Sequence, residues 1–177
     1  MYKGKNVLIT GGTGGLGKNL CFTYAKEGAK IINISRDKKK LLDINYKINN
    51  INKLNNLHYS CDISNYQNIN KISKELMKNN NFPNIIVNNA AGNFLSPFKN
   101  LTENGWKRII DIVLNGSFNI YHNFGKLSID NKKTPVFLNI STTYSENSSA
   151  LVIPSAVAKA GVDNIMKGLT VEWSKYG

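Results

Sequence analysis

Three groups of residues in this sequence have types and spacings that could do chemistry. Thr10-Gly11-Gly12-Thr13-Gly14-Gly15-Leu16-Gly17 is a run in which backbone N–H groups can approach a phosphate with few side chains in the way. Ser35-Arg36 sets a small hydroxyl beside a guanidinium, which can fork onto phosphate oxygens. Ser155-x-x-x-Lys159 puts a hydroxyl and an ammonium one helical turn apart on the same face, and Tyr144 offers a phenol eleven residues upstream. The first two groups could together hold a nucleotide. The third could donate hydrogen bonds to a second molecule.

Those residues need a scaffold, and the hydrophobic pattern supplies one. Strands are expected at Asn6–Ile9, Lys30–Ile34, Leu57–Cys61, Asn84–Asn88 and Val136–Ile140, each followed by a segment of helical length. That alternation predicts an α/β fold with a doubly wound, mostly parallel, Rossmann-like sheet. Ser64-Asn65-Tyr66-Gln67 reads as a capping box that opens the third helix. Residues 102–127 read as one long helix, although Gly105 and Gly116 interrupt it. Pro154 fits the first turn of a last helix that runs to about Tyr176. No repeat or linker divides the chain, so residues 1–177 form a single domain. Five strands leave the apolar Val136–Ile140 at one edge, which native sheets rarely leave bare. Of the two ways to cover it, another chain or more of this one, the second is expected. The sheet is then incomplete at its C-terminal edge, without further strands and substrate-covering helices.

Composition narrows the function classes. The chain has 177 residues, enough for one real core, and its 41% hydrophobic content is that of a folded protein. No apolar run is long enough for membrane insertion. No leader precedes the first strand, which predicts the cytoplasm. A formal charge of +12 suggests nucleic acid, but the basic residues are scattered lysines with only Arg36 and Arg108 as arginines, so no nucleic-acid partner is expected. Cys21, Cys61, His58 and His122 lack ligand spacing, so neither a disulfide framework nor a metal site is expected.

The glycine run follows the first strand and opens the first helix, the context of a dinucleotide loop. Gly11, Gly12, Thr13, Gly14, Gly15, Leu16 and Gly17 are therefore the candidate phosphate cradle. At the end of the second strand, Ser35 stands where a carboxylate would bind the adenosine ribose, and Arg36 can hold a 2′-phosphate. The expected cofactor is NADP(H). Asp37 is assigned to capping the next helix, and Lys38-Lys39-Lys40 to a solvated helix face.

In this combination the chain resembles the short-chain dehydrogenase/reductase family over all its residues. Thr10-Gly11-x-x-x-Gly15-x-Gly17 matches the family's cofactor loop, and Cys61-Asp62-Ile63 the segment whose Asp approaches adenine. Asn88-Asn89-Ala90-Ala91-Gly92 is similar to the motif after the fourth strand, with Asn89 on the cofactor. The family's usual active site has an Asn, a Ser, a Tyr and a Lys. Here those positions hold Val113, Thr142, Ser155 and Lys159, so only the lysine is kept. Reducing a ketone makes an alkoxide that needs a proton, and a serine hydroxyl is a far poorer acid than a phenol. The departure argues against simple ketone reduction.

One branch departs in the same way. Asn88-Asn89-Ala90-Ala91-Gly92-Asn93-Phe94, Asp111-Ile112-Val113-Leu114-Asn115-Gly116 and Thr143-Tyr144 followed by Pro154-Ser155-x-x-x-Lys159-Ala160-Gly161 resemble the 2,4-dienoyl-CoA reductases, most closely the mitochondrial type. The resemblance implies an NADP-dependent enzyme of unsaturated fatty-acid β-oxidation with an acyl-CoA thioester as substrate. By it, Tyr144 and Asn93 form the catalytic pair, Lys159 binds the nicotinamide ribose, Ser155 is a secondary hydrogen-bonding group, and Phe94 and Thr102 line the acyl-CoA site. It also implies a homotetramer for the full-length protein, through residues 102–127 and 154–176, and a mitochondrial location as the alternative compartment. On residue type alone, Tyr144 would be a loop tyrosine, Asn93 a turn former and Lys159 an exposed helix lysine.

Overall fold

Nearly continuous apolar strands flanked by helices bury both faces of a parallel sheet, and this chain follows that rule. In the computed structural model, which describes residues 1–176, the strands are β1 (Asn6–Thr10), β2 (Lys30–Ser35), β3 (Leu57–Ser60), β4 (Ile85–Asn88) and β5 (Val136–Asn139). All pair in parallel, in the order β3-β2-β1-β4-β5. The helices are α1 (Gly15–Lys26), α2 (Lys38–Asn52), α3 (Tyr66–Lys78), α4 (Glu103–Ile110), α5 (Gly116–Asp130), α6 (Tyr144–Asn147) and α7 (Ile153–Trp173). Each expected strand is present, with ends within a residue or so of the pattern.

Side chains alternate across the sheet and so divide the core in two. Leu8, Ile32, Ile34 and Ile86 face α3, α4, α5 and α7, against Ile69, Ile109, Phe124 and Val162 among others. Val7, Ile9, Ile31 and Val87 face the other way, against Cys21 and Ala25 of α1 and Ile44 and Ile48 of α2. The β5 edge is open: Val136 is 62% exposed and Leu138 42% exposed.

Three local expectations are corrected. The N-cap of α3 is Asn65, whose side chain accepts from Asn68 N–H at 2.9 Å, and not Ser64. Ser64 is unavailable because its N–H and its hydroxyl both donate to Asp62 Oδ1. The long helix is present from its Thr102 cap to Asp130 but contains a π-helical turn at Asp111–Asn115. Asn115 Nδ2 bonds Asp111 Oδ1 across that turn at 2.9 Å, and Gly116 at its end admits the Ile63 side chain. The last α-helix stops at Trp173, and Ser174–Tyr176 tightens into a 3₁₀ turn in which the Ser174 hydroxyl donates to the Val171 carbonyl. Asp37 caps α2 as expected, accepting from Lys40 N–H at 3.0 Å.

Candidate active site

Strand order reverses between β1 and β4, so the loops leaving them diverge and open a crevice at the C-terminal ends of the strands. Thr10 ties the two loops together. Its Oγ1 accepts from Asn89 N–H at 3.0 Å and Ala90 N–H at 2.9 Å, while Asn89 Nδ2 donates to the Thr10 carbonyl at 2.9 Å. The result is a cleft of about 660 Å³. It runs from the glycine loop past Ser35, Arg36 and Lys40 to Asp62, Ile112 and Ala91.

The cleft fits a dinucleotide. Gly11 has φ +68°, a conformation that side chains rarely adopt, and turns the loop back under α1. A Cβ on Gly17 would collide with the Gly11 carbonyl and Asn89 Nδ2, so glycine there lets the helix start close to the strand end. α1 has no side-chain cap, and its first N–H groups stay free for an anion. Of the residues assigned to the cofactor, Gly11, Thr13, Gly14, Leu16, Gly17, Arg36, Asp62 and Asn89 line the cleft. Gly12 and Gly15 do not. Gly12 is buried where a Cβ would meet Asn33 and Cys21, so its smallness serves packing, and Gly15 lies exposed in the first turn of α1. Thr13 Oγ1 and Ser35 Oγ share a hydrogen bond at 2.7 Å, which ties the loop to the end of β2.

At the Arg36 end of the cleft the sequence pattern left more unsaid. Lys40 lines it, beyond the solvated role assigned to it, and pairs with Asp37 at 3.5 Å. Asp62 sits between two guanidinium groups, Arg36 at 3.9 Å and Arg108 at 3.6 Å. Burial pushes the Asp62 carboxyl up, but the Ser64 hydrogen bonds and the charges of Arg108 and Arg36 outweigh it and hold it below the usual range. Burial pushes the neighbouring Cys61 thiol up to about 11, so it stays protonated and unreactive at neutral pH.

A second hollow of about 230 Å³ shares Asn89 and Ala91 with the cleft and continues to Asn93, Thr142, Tyr144, Ser155 and Lys159. Here the expected catalytic residues come together from three places. Tyr144 is the first residue of α6, a single helical turn inside the polar loop after β5. Ser155 lies in the first turn of α7 and Lys159 one turn on. The Tyr144 and Ser155 hydroxyls are 3.2 Å apart, and either can donate. Lys159 is only 4% exposed and its ammonium donates to the Ile140 carbonyl. Burial lowers its pKa from the ordinary lysine value, while the negative charge of Asp163 pulls the other way. Asn93 comes from the loop after β4, and its Oδ1 accepts from Phe94 N–H at 2.9 Å, which leaves the amide nitrogen free to donate.

Phe94 and Thr102 lie outside this hollow. Phe94 is 39% exposed and packs at Gly105, where Thr102 accepts from the Gly105 N–H as the cap of α4. Both stand together at the start of α4.

Two features here were not read from the sequence. Thr142 Oγ1 is buried without a hydrogen-bond partner among the described residues, in the wall of the hollow. A buried hydroxyl left unpaired costs stability, and in this wall it is free to bond whatever enters the hollow. Beneath the hollow runs a polar network. Asn88 Nδ2 donates to Ser117 at 2.8 Å and Tyr121 at 2.9 Å, and Tyr121 donates to Asn139 at 3.1 Å. Asn139 in turn donates to Asp163 at 3.3 Å.

No helix of the described residues is long and apolar enough to cross a membrane, and no cluster of metal-ligating side chains occurs among them.

Residues 5–177 match the family model for short chain dehydrogenases. Among curated relatives, a probable 2,4-dienoyl-CoA reductase of Caenorhabditis elegans, named as producing (3E)-enoyl-CoA, is 38% identical over 99% of this chain and 57% of its own length. A probable 2,4-dienoyl-CoA reductase of Bacillus subtilis strain 168, named as producing (2E)-enoyl-CoA, is 37% identical over 98% of this chain and 68% of its own. The crystal structure of a short chain dehydrogenase from Bacillus anthracis superposes with a TM-score of 0.91 at 37% identity, covering 97% of this chain and 68% of that one. The chain thus spans between about half and two thirds of the length of these proteins. The family and its fold imply a nicotinamide nucleotide cofactor. With that match over nearly the whole chain, this chain belongs to the short chain dehydrogenase family.

Proposed function

We propose that the protein catalyses the NADPH-dependent reduction of 2,4-dienoyl-CoA to 3-enoyl-CoA, a step in β-oxidation of unsaturated fatty acids. The observation that carries this reading is the placement of the phenol. Tyr144 reaches the hollow from the loop after β5, beside Ser155, while α7 has no phenol one turn before Lys159. NADPH, when bound, would supply a hydride to the far end of the conjugated thioester.

Negative charge then spreads back to the thioester oxygen. That dienolate needs hydrogen bonds and not a full proton, and each preorganised donor contributes about 3 kcal/mol at such a site. Tyr144 and Asn93 are the donors we assign, with Ser155 holding the phenol from behind at 3.2 Å. Lys159 keeps two of its three protons for the ribose of the cofactor once Ile140 has taken one, and its charge favours the anion. A solvent proton completes the reaction at carbon. Arg36 would hold the 2′-phosphate of NADPH, and Asp62 and Asn89 would hold other parts of the cofactor. Phe94 and Thr102, which meet at Gly105 outside the hollow, are assigned to the acyl-CoA. The assembly we propose for the whole protein is a homotetramer through α4–α5 and α7. The compartment is the cytoplasm, with the mitochondrion as the alternative.

Purified protein mixed with NADPH and a 2,4-dienoyl-CoA should consume the cofactor, and chromatography should identify a 3-enoyl-CoA. The names of the two relatives differ on the product, so a 2-enoyl-CoA would correct the protonation step alone. Turnover only with enoyl or oxoacyl thioesters would reassign the substrate. Cofactor binding without NADPH oxidation by any thioester substrate would make the chain a binding scaffold.

A further inference from the structure

Arg36 and Arg108 are the only arginines in a chain with 23 lysines and arginines in total, and both reach the same carboxylate oxygen. Arg36 follows β2 and Arg108 lies in the last turn of α4, so the fold brings them to Asp62 from separate elements. Arg36 Nη1 is 3.9 Å and Arg108 Nη2 is 3.6 Å from Asp62 Oδ2. The other oxygen, Oδ1, is occupied by the Ser64 N–H at 3.0 Å and the Ser64 hydroxyl at 2.8 Å. The carboxylate is thus fixed on one side and shared on the other.

The charges around it are unequal in freedom. Arg36, Lys40, Asp37 and Asp62 line the same end of the cleft, whereas Arg108 stands outside its wall. Lys40 is paired with Asp37. Lys107, the neighbour of Arg108, pairs with Glu103 one turn earlier and does not serve Asp62. Arg36 is the cation available to a phosphate, and its own partner is Asp62. A phosphate dianion seated on Arg36 must displace that carboxylate and then stand near it. Like charges so close repel, unless a second cation keeps the carboxylate neutralised.

We propose that Arg108 sets cofactor specificity by taking over Asp62 when Arg36 turns to the 2′-phosphate of a 2′-phosphoadenosine ligand. The inference rests on the NADP(H) reading of Arg36. Arg108 is a positioning residue in this scheme: it acts through Asp62 and touches no ligand.

The test is calorimetric titration of the whole chain with adenosine 2′,5′-bisphosphate and with 5′-AMP, which differ by the 2′-phosphate alone. Wild type, Arg108→Gln, Asp62→Asn and the double variant are compared. Wild type should prefer the bisphosphate. Arg108→Gln should cut that preference by about two- to fivefold, the range of a half-exposed ion pair, with little change for 5′-AMP. The loss should vanish in the Asp62→Asn background and shrink as salt is raised. A preference unchanged by Arg108→Gln overturns the inference, as does equal weakening of both ligands. The same loss in the Asp62→Asn background also overturns it, since Arg108 would then act on the phosphate directly. A wild type indifferent to the 2′-phosphate overturns the NADP(H) reading itself, an outcome distinct from the other three.

Discussion

Lys159 and Asp163, one turn apart on α7, grip three consecutive residues of the segment that leaves β5. Asp163 accepts from Asn139 Nδ2 at 3.3 Å and from the Ser141 hydroxyl at 2.6 Å, and Lys159 donates to the carbonyl of Ile140 between them. The helix that carries the lysine is thereby locked to the strand end that leads to Thr142 and Tyr144. Removing the carboxylate should loosen both. Asp163→Ala is expected to cost about 1–3 kcal/mol, a fall in Tm of several degrees for a chain this size, and Asp163→Asn less. Thermal unfolding of the two variants checks the order.

The same buried lysine predicts a pH trend. Burial lowers its pKa in the folded state, below the 10.5 of a free lysine. Between the folded value and about 10.5 the unfolded chain binds the proton more tightly, so this group makes stability rise with pH across that window. Lys159→Met should remove that part of the slope. Urea titrations at a series of alkaline pH values would show it, and an unchanged slope would contradict the burial of the charge.

Thr142 and Tyr144 should separate stability from activity. Thr142→Val deletes a buried hydroxyl that has no partner, so stability should hold or rise by about 1 kcal/mol while the proposed dienoyl-CoA reduction falls. Tyr144→Phe should leave folding nearly unchanged and lower kcat by about two orders of magnitude, as expected for losing an oxyanion donor. Steady-state kinetics beside thermal melts reads both. A Thr142→Val variant that loses stability would mean that the hydroxyl has a partner.

Gly17→Ala places a methyl group against the Gly11 carbonyl and Asn89 Nδ2, both part of the loop lock. The expected cost is about 1–3 kcal/mol, with dinucleotide binding weakened further because the cradle itself is displaced. Gly15→Ala meets nothing within 4 Å and should be tolerated on both counts. Cofactor-fluorescence titrations of the pair distinguish cradle damage from general instability.

Arg36→Asp replaces the proposed phosphate clamp with a carboxylate beside Asp62. Preference should move from NADPH toward NADH by at least about tenfold, since a charge-assisted contact is exchanged for a repulsion. Dissociation constants for the two cofactors measure it. Equal constants before and after substitution would remove Arg36 from cofactor choice.

Much of this protein is determined by local rules that act along the chain. Alternation of apolar runs with helical segments set five parallel strands, and the glycine spacing after β1 set a dinucleotide cradle, because backbone sterics and short-range periodicity need no distant partner. Motif register likewise singled out Asn93, Tyr144, Ser155 and Lys159. What the sequence did not disclose depends on side chains meeting across elements. Ser64 was engaged by Asp62 and so yielded the cap to Asn65. Arg108, 46 positions after Asp62, came to share its oxygen with Arg36. Thr142 was left buried without a partner, and Phe94 and Thr102 gathered at Gly105 instead of in the hollow. Such encounters are settled only when packing fixes the distance between helices and strands, since charge pairing and hydrogen bonding act over a few ångströms and sequence spacing carries no such distance.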